Sequence, residues 1–121
     1  MDSRKILVVD DEQNIRLVLR GMLEKHYTVL EASNGQEALD IAGRQKPDLI
    51  FMDILMPGMD GYNACYKIKT DEATKTIPVV ILTAVGHKLN QELGKKVGAD
   101  EYITKPFRKE DLLAVIARFL K

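Results

Sequence analysis

The sequence of 121 residues is short of cysteine, of excess charge and of long apolar runs, and each shortage excludes a class of function. Its single cysteine, Cys65, excludes an internal disulfide and a cysteine-based zinc site, and is typical of a reducing compartment. Lys and Arg together number 18, as do Asp and Glu, so no overall field favours nucleic acid or an anionic membrane. No apolar run could span a bilayer, and the N-terminus has no signal-peptide pattern. We therefore expect a cytoplasmic globular protein whose charged function is local.

Strand-like and helix-like segments alternate along the whole chain. Short apolar runs rich in β-branched residues predict five strands. They are Lys5–Val9, Thr28–Ala32, Asp48–Met52, Ile77–Leu82 and Glu101–Thr104. Apolar residues at helical spacing predict five amphipathic helices between and after them. The helices are marked by Ile15 to Leu23, by Ala38, Ile41 and Ala42 after the Asn34-Gly35 turn, by Gly61 to Lys69, by Leu89, Leu93 and Val97, and by Leu112, Val115, Ile116 and Phe119.

Five strand–helix units in alternation predict an α/β fold with a doubly wound parallel sheet and helices on both faces. Right-handed crossovers and the size of the chain favour the flavodoxin-like strand order 2-1-3-4-5. We find no linker, repeat or low-complexity segment, and expect residues 1–121 to form a single domain. Ligands of such sheets bind at the carboxyl ends of the strands, at the switch point beside the first strand.

Polar side chains follow four of the predicted strands at that edge. Asp10 and Asp11 come after the first strand, Asp53 after the third, Thr83 after the fourth, and Lys105 after the fifth. Each alone is typical of a cap, a turn or a solvated surface residue, and the adjacent acids could simply cap the first helix. Together they predict three carboxylates, a hydroxyl and an ammonium at one place.

Such crowded carboxylates require a compensating charge. Two like charges 4 Å apart repel by about 4 kcal/mol at an effective dielectric near 20, a large fraction of typical stability. A hard cation such as Mg²⁺ is held by carboxylate oxygens and leaves positions open for phosphate. Asp can act as a nucleophile, while a hydroxyl and an ammonium can bind the transferred oxygens. The group therefore favours Mg²⁺-dependent phosphoryl transfer to a carboxylate.

The chain resembles the receiver domain of two-component response regulators. The matching segments are ILVVDDE, DLIFMDILMPGMDG, VVILTA and GADEYITKPF, which follow the order and spacing of that family over essentially the whole sequence. The resemblance implies that Asp53 is the phosphoacceptor and becomes 4-aspartylphosphate. It also implies that Mg²⁺, for which Mn²⁺ is expected to substitute, is bound by Asp11, Asp53 and the backbone carbonyl of Leu55, with Asp10 assisting through water.

The resemblance further implies how the signal leaves the site. Thr83 is expected to bind a phosphoryl oxygen and Lys105 to pair with the phosphoryl group. Tyr102 is expected to reorient when Thr83 moves inward, and a cis bond before Pro106 to hold Lys105. The expected result is a changed surface on the fourth helix, fifth strand and fifth helix.

The expected partners follow from the same family. The donor is a histidine kinase or a histidine phosphotransfer protein, and the output is an effector or a second copy of the chain. No nucleic-acid or membrane contact is expected within these residues. The domain is expected to act only on its own Asp53, and is not an enzyme with an external substrate. Apolar Leu55 and Val85 cannot orient water, which predicts slow loss of the phosphoryl group.

Two other functions share parts of this pattern. A phosphatase of the haloacid-dehalogenase type also uses Asp, Mg²⁺, Thr and Lys, but it separates by one residue the two acids that are adjacent here as Asp10 and Asp11. A flavin- or nucleotide-binding module would need a loop rich in N–H donors after the first strand, where this chain has three acids.

Overall fold

The protein is described by a computed structural model at residues 4–54, 61–83 and 96–120. Within these ranges lie five strands and four helices, together with two helical residues, 96 and 97, before the last strand. They are β1 (Lys5–Val9), α1 (Gln13–Leu23), β2 (Thr28–Ala32), α2 (Gly35–Gln45), β3 (Leu49–Asp53), α3 (Gly61–Thr70), β4 (Val79–Thr83), β5 (Glu101–Thr104) and α4 (Lys109–Phe119). None of the helices in these ranges is long and apolar enough to cross a membrane.

The strands form one parallel sheet in the order β2-β1-β3-β4-β5, which confirms the predicted topology. The register aligns Val9 of β1 with Met52 of β3, and Asp53 with Leu82 of β4. Three neighbouring strands therefore end at nearly the same level. The residues that follow β1 and β3 are brought side by side at the centre of one sheet edge.

The two faces of the sheet are covered by helices, and each face has its own apolar cluster. Residues that alternate along a strand point to opposite faces, so Leu7 and Val9 join one cluster while Ile6 and Val8 join the other. Buried residues of α2 and α3 complete the first cluster, and those of α1 and α4 the second. The central strands are consequently apolar over most of their length, as a sheet buried on both faces requires.

Three of the five predicted strands have the observed bounds, and two are displaced. The third begins at Leu49 instead of Asp48, and its last residue is Asp53. The fourth begins at Val79, because the N–H of Ile77 bonds to the Thr74 carbonyl in the preceding turn. Ile77 is nevertheless buried, so its apolar character belongs to the core rather than to the strand.

The predicted helices agree with the structure wherever it describes them. Asn34 caps α2, since its side chain accepts the N–H of Glu37 at 2.8 Å. Of the residues that mark the predicted fourth helix, Leu89 and Leu93 lie outside the described ranges, whereas Val97 is helical and packs against the first apolar cluster.

Cys65 lies in α3 and is a core residue with no solvent exposure. Burial raises the pKa of its thiol to about 12. The thiol is therefore neutral at physiological pH. It lies 3.8 Å from the carbonyl oxygen of Val97, in a weak hydrogen bond that links α3 to the segment before β5.

Candidate metal and phosphoacceptor site

Three carboxylates meet where β1 and β3 end. Asp53 is the last residue of β3, Asp10 directly follows β1, and Asp11 is the next residue. Each offers a carboxylate oxygen, and these oxygens all lie within 4.8 Å of one another. Asp10 and Asp53 are buried while Asp11 is exposed, so the cluster combines buried and solvent-accessible carboxylates. The sequence therefore located this group correctly from the strand ends alone.

Asp10 is the most constrained of the three acids. Its Oδ1 accepts the N–H of Glu12 at 2.9 Å, and its own N–H bonds to the Ala32 carbonyl at 3.1 Å. Its Oδ2 is buried and makes no hydrogen bond to any of the described residues (4–54, 61–83 and 96–120). A buried carboxylate oxygen without a donor is costly unless a cation or a proton satisfies it.

The electrostatics of Asp10 reflect this position. Burial raises its pKa, the Glu12 N–H opposes that effect, and the negative charge of Asp53 raises it further, to about 6. The ordinary value is 3.8. In the absence of a cation, the folded protein therefore holds a proton on Asp10 far more tightly than an exposed Asp would.

The alternative that Asp10 or Asp11 caps the first helix is wrong in its simple form. The N-cap residue of α1 is Glu12, and its side chain makes no capping bond. The carboxylate of Asp10 accepts the N–H of Glu12 itself, which closes the turn before the helix. Capping does not explain why two acids are adjacent here.

Asp53 has a cationic neighbour that follows the edge strand β5. Lys105 follows β5, and its Nζ lies 3.6 Å from Asp53 Oδ1. The Lys105–Pro106 peptide bond is cis, as expected, while Pro106 itself is exposed. The Lys105 side chain is 36% exposed, so its ammonium is near enough to neutralise charge at Asp53 and open enough to meet an incoming anion.

Gly61 is the first residue of α3, and the close packing of α3 on β3 requires a glycine there. The sequence did not predict this requirement. A Cβ at this position would lie 2.3 Å from the backbone oxygen of Asp53 and 2.7 Å from the Cα of Ile54. Its N–H bonds to the Ile54 carbonyl at 3.2 Å. The start of α3 thus packs directly on the backbone that carries Asp53, and only glycine fits. The Asp60-Gly61 pair is a turn signal, but nothing in the sequence marks this close approach.

The remaining predicted residues are described to different extents. Thr83 is the last residue of β4 and pairs with Thr104 in register, but its side chain is not among the described parts. Leu55 and Val85 lie outside the described residues. Tyr102 is half-buried on β5, and burial raises the pKa of its hydroxyl.

The donor set at this edge fits Mg²⁺. Three carboxylates offer hard oxygen ligands, and the cluster contains no imidazole or thiolate that would favour zinc. The buried Asp10 Oδ2 is an acceptor that a cation would satisfy. Asp10, Asp11 and Asp53 could therefore hold the metal, with Lys105 beside it as a second positive charge.

Comparisons with known proteins give a consistent result. The family model of the response regulator receiver domain matches residues 6–117. The chain is similar to Protein PilH of Pseudomonas aeruginosa, with 42% identity over 113 residues that cover 93% of both chains. It is also similar to the phosphate regulon transcriptional regulatory protein PhoB of the same species, with 43% identity over the whole chain. That match covers 53% of PhoB, and the chain spans about half the length of several other curated relatives.

One similar solved structure is itself a receiver domain. The receiver domain of the sensor histidine kinase PA1611 from Pseudomonas aeruginosa has a TM-score of 0.90 and 31% identity, with 98% of each chain covered. That structure is described with a magnesium ion coordinated in the active site cleft.

Proposed function

The chain belongs to the response regulator receiver domain family, and from this premise we propose that it accepts a phosphoryl group on Asp53 in a Mg²⁺-dependent reaction. It is a signalling domain of a two-component system, and family membership gives no support to the phosphatase alternative. The observation that carries the proposal is the group of three carboxylates within 4.8 Å, with an ammonium 3.6 Å from Asp53.

Asp53 is the best placed nucleophile of the three acids. Asp10 has one oxygen engaged by the Glu12 N–H and a raised pKa, so its carboxylate is the less available. Asp53 lies at the centre of the sheet edge and next to Lys105. An incoming phosphoryl group at Asp53 would bring its charge towards that ammonium. We assign Asp10 and Asp11 to the metal and Asp53 to both metal and phosphoryl group.

The proposed reaction transfers a phosphoryl group between two side chains. A carboxylate oxygen of Asp53 attacks the phosphorus of a phosphohistidine on the donor protein. The new P–O bond forms as the P–N bond breaks, and the electron pair leaves with the imidazole nitrogen, which takes up a proton. Bound Mg²⁺ supplies positive charge for the phosphoryl oxygens. Lys105 and the hydroxyl of Thr83 are the proposed protein donors to those oxygens.

The phosphorylated residue carries about −1.5 to −2 charges, which is the proposed signal. Thr83 and Lys105 gain contacts only in that state, and this difference can shift an equilibrium between two conformations. Tyr102 and Pro106 lie on or next to β5, beside the edge where the change begins. We propose that the predicted fourth helix, β5 and α4 carry the altered surface.

The proposed partners are a histidine kinase or histidine phosphotransfer protein as donor, and an effector or a second copy as receiver. Residues 1–121 would act as one receiver domain, whether alone or within a longer protein. The domain would act on no external substrate, and the free thiol of Cys65 favours the cytoplasm. No contact with nucleic acid or membrane is proposed for these residues.

Labelling with acetyl phosphate or phosphoramidate tests the site assignment. The wild type is incubated with and without Mg²⁺, and the mass gain of one phosphoryl group is measured by intact mass spectrometry. Asp53→Asn should abolish the gain, and removal of Mg²⁺ should do the same for the wild type. Asp40→Asn is a matched control, because Asp40 is an exposed acid on α2 and does not belong to the carboxylate cluster. Labelling that survives Asp53→Asn would contradict the proposal.

A further inference from the structure

Two arginines of α1 share one acidic partner on β2. Arg16 Nε donates to Glu31 Oε1 at 3.1 Å, and Arg20 Nε donates to Glu31 Oε2 at 2.7 Å. Burial acts to raise the pKa of Glu31, but the hydrogen bonds from Arg20 and Arg16 lower it below its ordinary value. Glu31 is therefore ionised at neutral pH and fixes both guanidinium groups against the sheet.

The two arginines differ in their second contact. Arg16 Nη1 donates to the backbone carbonyl of Asp10 at 2.8 Å. Arg20, one helical turn after Arg16, donates instead from Nη2 to the carbonyl of Val29 on β2 at 3.1 Å. Only Arg16 thus connects the ion-pair network to the residues at the end of β1.

The carbonyl that Arg16 binds belongs to the peptide between Asp10 and Asp11. Every other hydrogen-bonding group of Asp10 except Oδ2 is also engaged, by Ala32 or by Glu12. Rotation of this peptide would redirect both carboxylates, because it lies between their two Cα atoms. The guanidinium is planar and its side chain is only 16% exposed, so it holds the peptide in one orientation.

We propose that Arg16 is a positioning residue for the metal site, which it orients through the Asp10 carbonyl, and that Glu31 holds Arg16 in place for this role. The inference rests on the proposed function, since it states that a residue outside the cluster orients the Asp10 and Asp11 carboxylates for metal binding. Glu31 has a second effect, because it neutralises a positive charge that would otherwise compete with Mg²⁺ for those carboxylates. Arg16 itself touches neither metal nor phosphoryl group.

The two arginines provide a matched test. Arg16→Ala and Arg20→Ala each remove one guanidinium from Glu31, but only the first removes the bond to Asp10. Mg²⁺ binding is measured by titration calorimetry, because the chain contains no tryptophan whose fluorescence could report it. Arg16→Ala should weaken Mg²⁺ binding by about tenfold, the effect typical of residues that orient metal ligands. Arg20→Ala should stay within about threefold of the wild type.

A second measurement separates positioning from general damage. Labelling of Asp53 by phosphoramidate is followed at increasing Mg²⁺ concentration, and urea unfolding without Mg²⁺ is recorded for both variants. Arg16→Ala should need more Mg²⁺ but approach the wild-type rate at saturation, while the two variants lose similar stability. Equal Mg²⁺ affinities for Arg16→Ala and Arg20→Ala would overturn the inference, whether both are weaker than the wild type or both match it.

The same experiment distinguishes this inference from the proposed function. Asp11→Asn is titrated alongside, and should remove most of the Mg²⁺ binding of the wild type. A wild type that binds Mg²⁺ no better than Asp11→Asn would refute the metal site and the role of Arg16 together. A wild type that binds Mg²⁺ through Asp11 but an Arg16→Ala variant that binds it equally well would refute only the role of Arg16.

Discussion

Replacing Asp10 by Asn should stabilise the protein in the absence of metal. Asn keeps an oxygen for the Glu12 N–H but carries no charge towards Asp53. The pKa of Asp10 is raised from 3.8 to about 6 by burial and by the charge of Asp53. One pH unit of displacement corresponds to about 1.4 kcal/mol, so the ionised carboxylate costs the folded protein about 3 kcal/mol. For a domain of this size that is roughly 10 °C in Tm.

The effect has a defined dependence on pH. The folded state binds the Asp10 proton more tightly than the unfolded state, so the wild type keeps its full stability below pH 3.8. The stabilisation that comes from binding this proton is lost as the pH rises through about 6. The advantage of Asp10→Asn should therefore be near zero at pH 4 and complete at pH 8. Urea unfolding in EDTA, followed by far-UV circular dichroism at both pH values, measures it.

Mg²⁺ should largely remove the advantage of Asp10→Asn. A ligand that binds only the folded state stabilises it by about 2.7 kcal/mol at 100 times its Kd. The wild type should gain this stabilisation at pH 8, and Asp10→Asn should gain much less. Asp40→Asn, on the exposed face of α2, should change the unfolding free energy by less than about 0.5 kcal/mol under every condition. An Asp10→Asn advantage that is absent at pH 8, or the same at pH 4, would refute the reasoning.

Three further outcomes are expected. Gly61→Ala should lower the free energy of unfolding in urea by more than about 2 kcal/mol, because its Cβ would lie 2.3 Å from the Asp53 carbonyl oxygen. Gly43→Ala, whose Cβ would have nothing within 4 Å, should instead stabilise the protein by about 0.5–1 kcal/mol. Equal effects of the two substitutions would contradict this account of Gly61. Lys105→Met should slow phosphoramidate labelling of Asp53 by about 10²–10³-fold while calorimetric Mg²⁺ affinity does not fall, and a loss of Mg²⁺ binding would show that Lys105 acts elsewhere. Because Leu55 and Val85 are apolar, phosphate release from phosphorylated Asp53 should take minutes or longer, and a half-life of seconds would exclude slow release.

The sequence predicted the sheet well because its signals are local. β1, β2 and β5 have the predicted bounds, since each is an apolar or β-branched run between clear turn signals. The start of β4 was displaced because Ile77 is apolar for the sake of the core while its N–H already bonds in a turn. A pattern of apolar residues records burial, and burial alone does not distinguish a turn from a strand.

The site was predictable to the extent that it depends on strand ends. Asp10, Asp11, Asp53 and Lys105 could be placed together because parallel strands end at one edge of a sheet. The close approach of Gly61 to the Asp53 backbone could not be predicted, since it depends on how α3 packs. The bond from Arg16 to the Asp10 carbonyl depends on the course of α1, and in sequence Arg16 is an ordinary helical arginine.

The buried thiol of Cys65 also makes the protein a convenient background for spectroscopic probes. At neutral pH a maleimide meets neither an accessible sulfur nor a thiolate there, because the side chain is fully enclosed and its pKa is about 12. A cysteine introduced on α4 at exposed Ala117 would therefore take a fluorophore or spin label alone, with Cys65 left in place. Since the sequence contains no tryptophan, a single introduced indole would be equally unambiguous. The proposed movement of α4 upon phosphorylation can thus be tested in a chain that differs from the native one by a single surface residue.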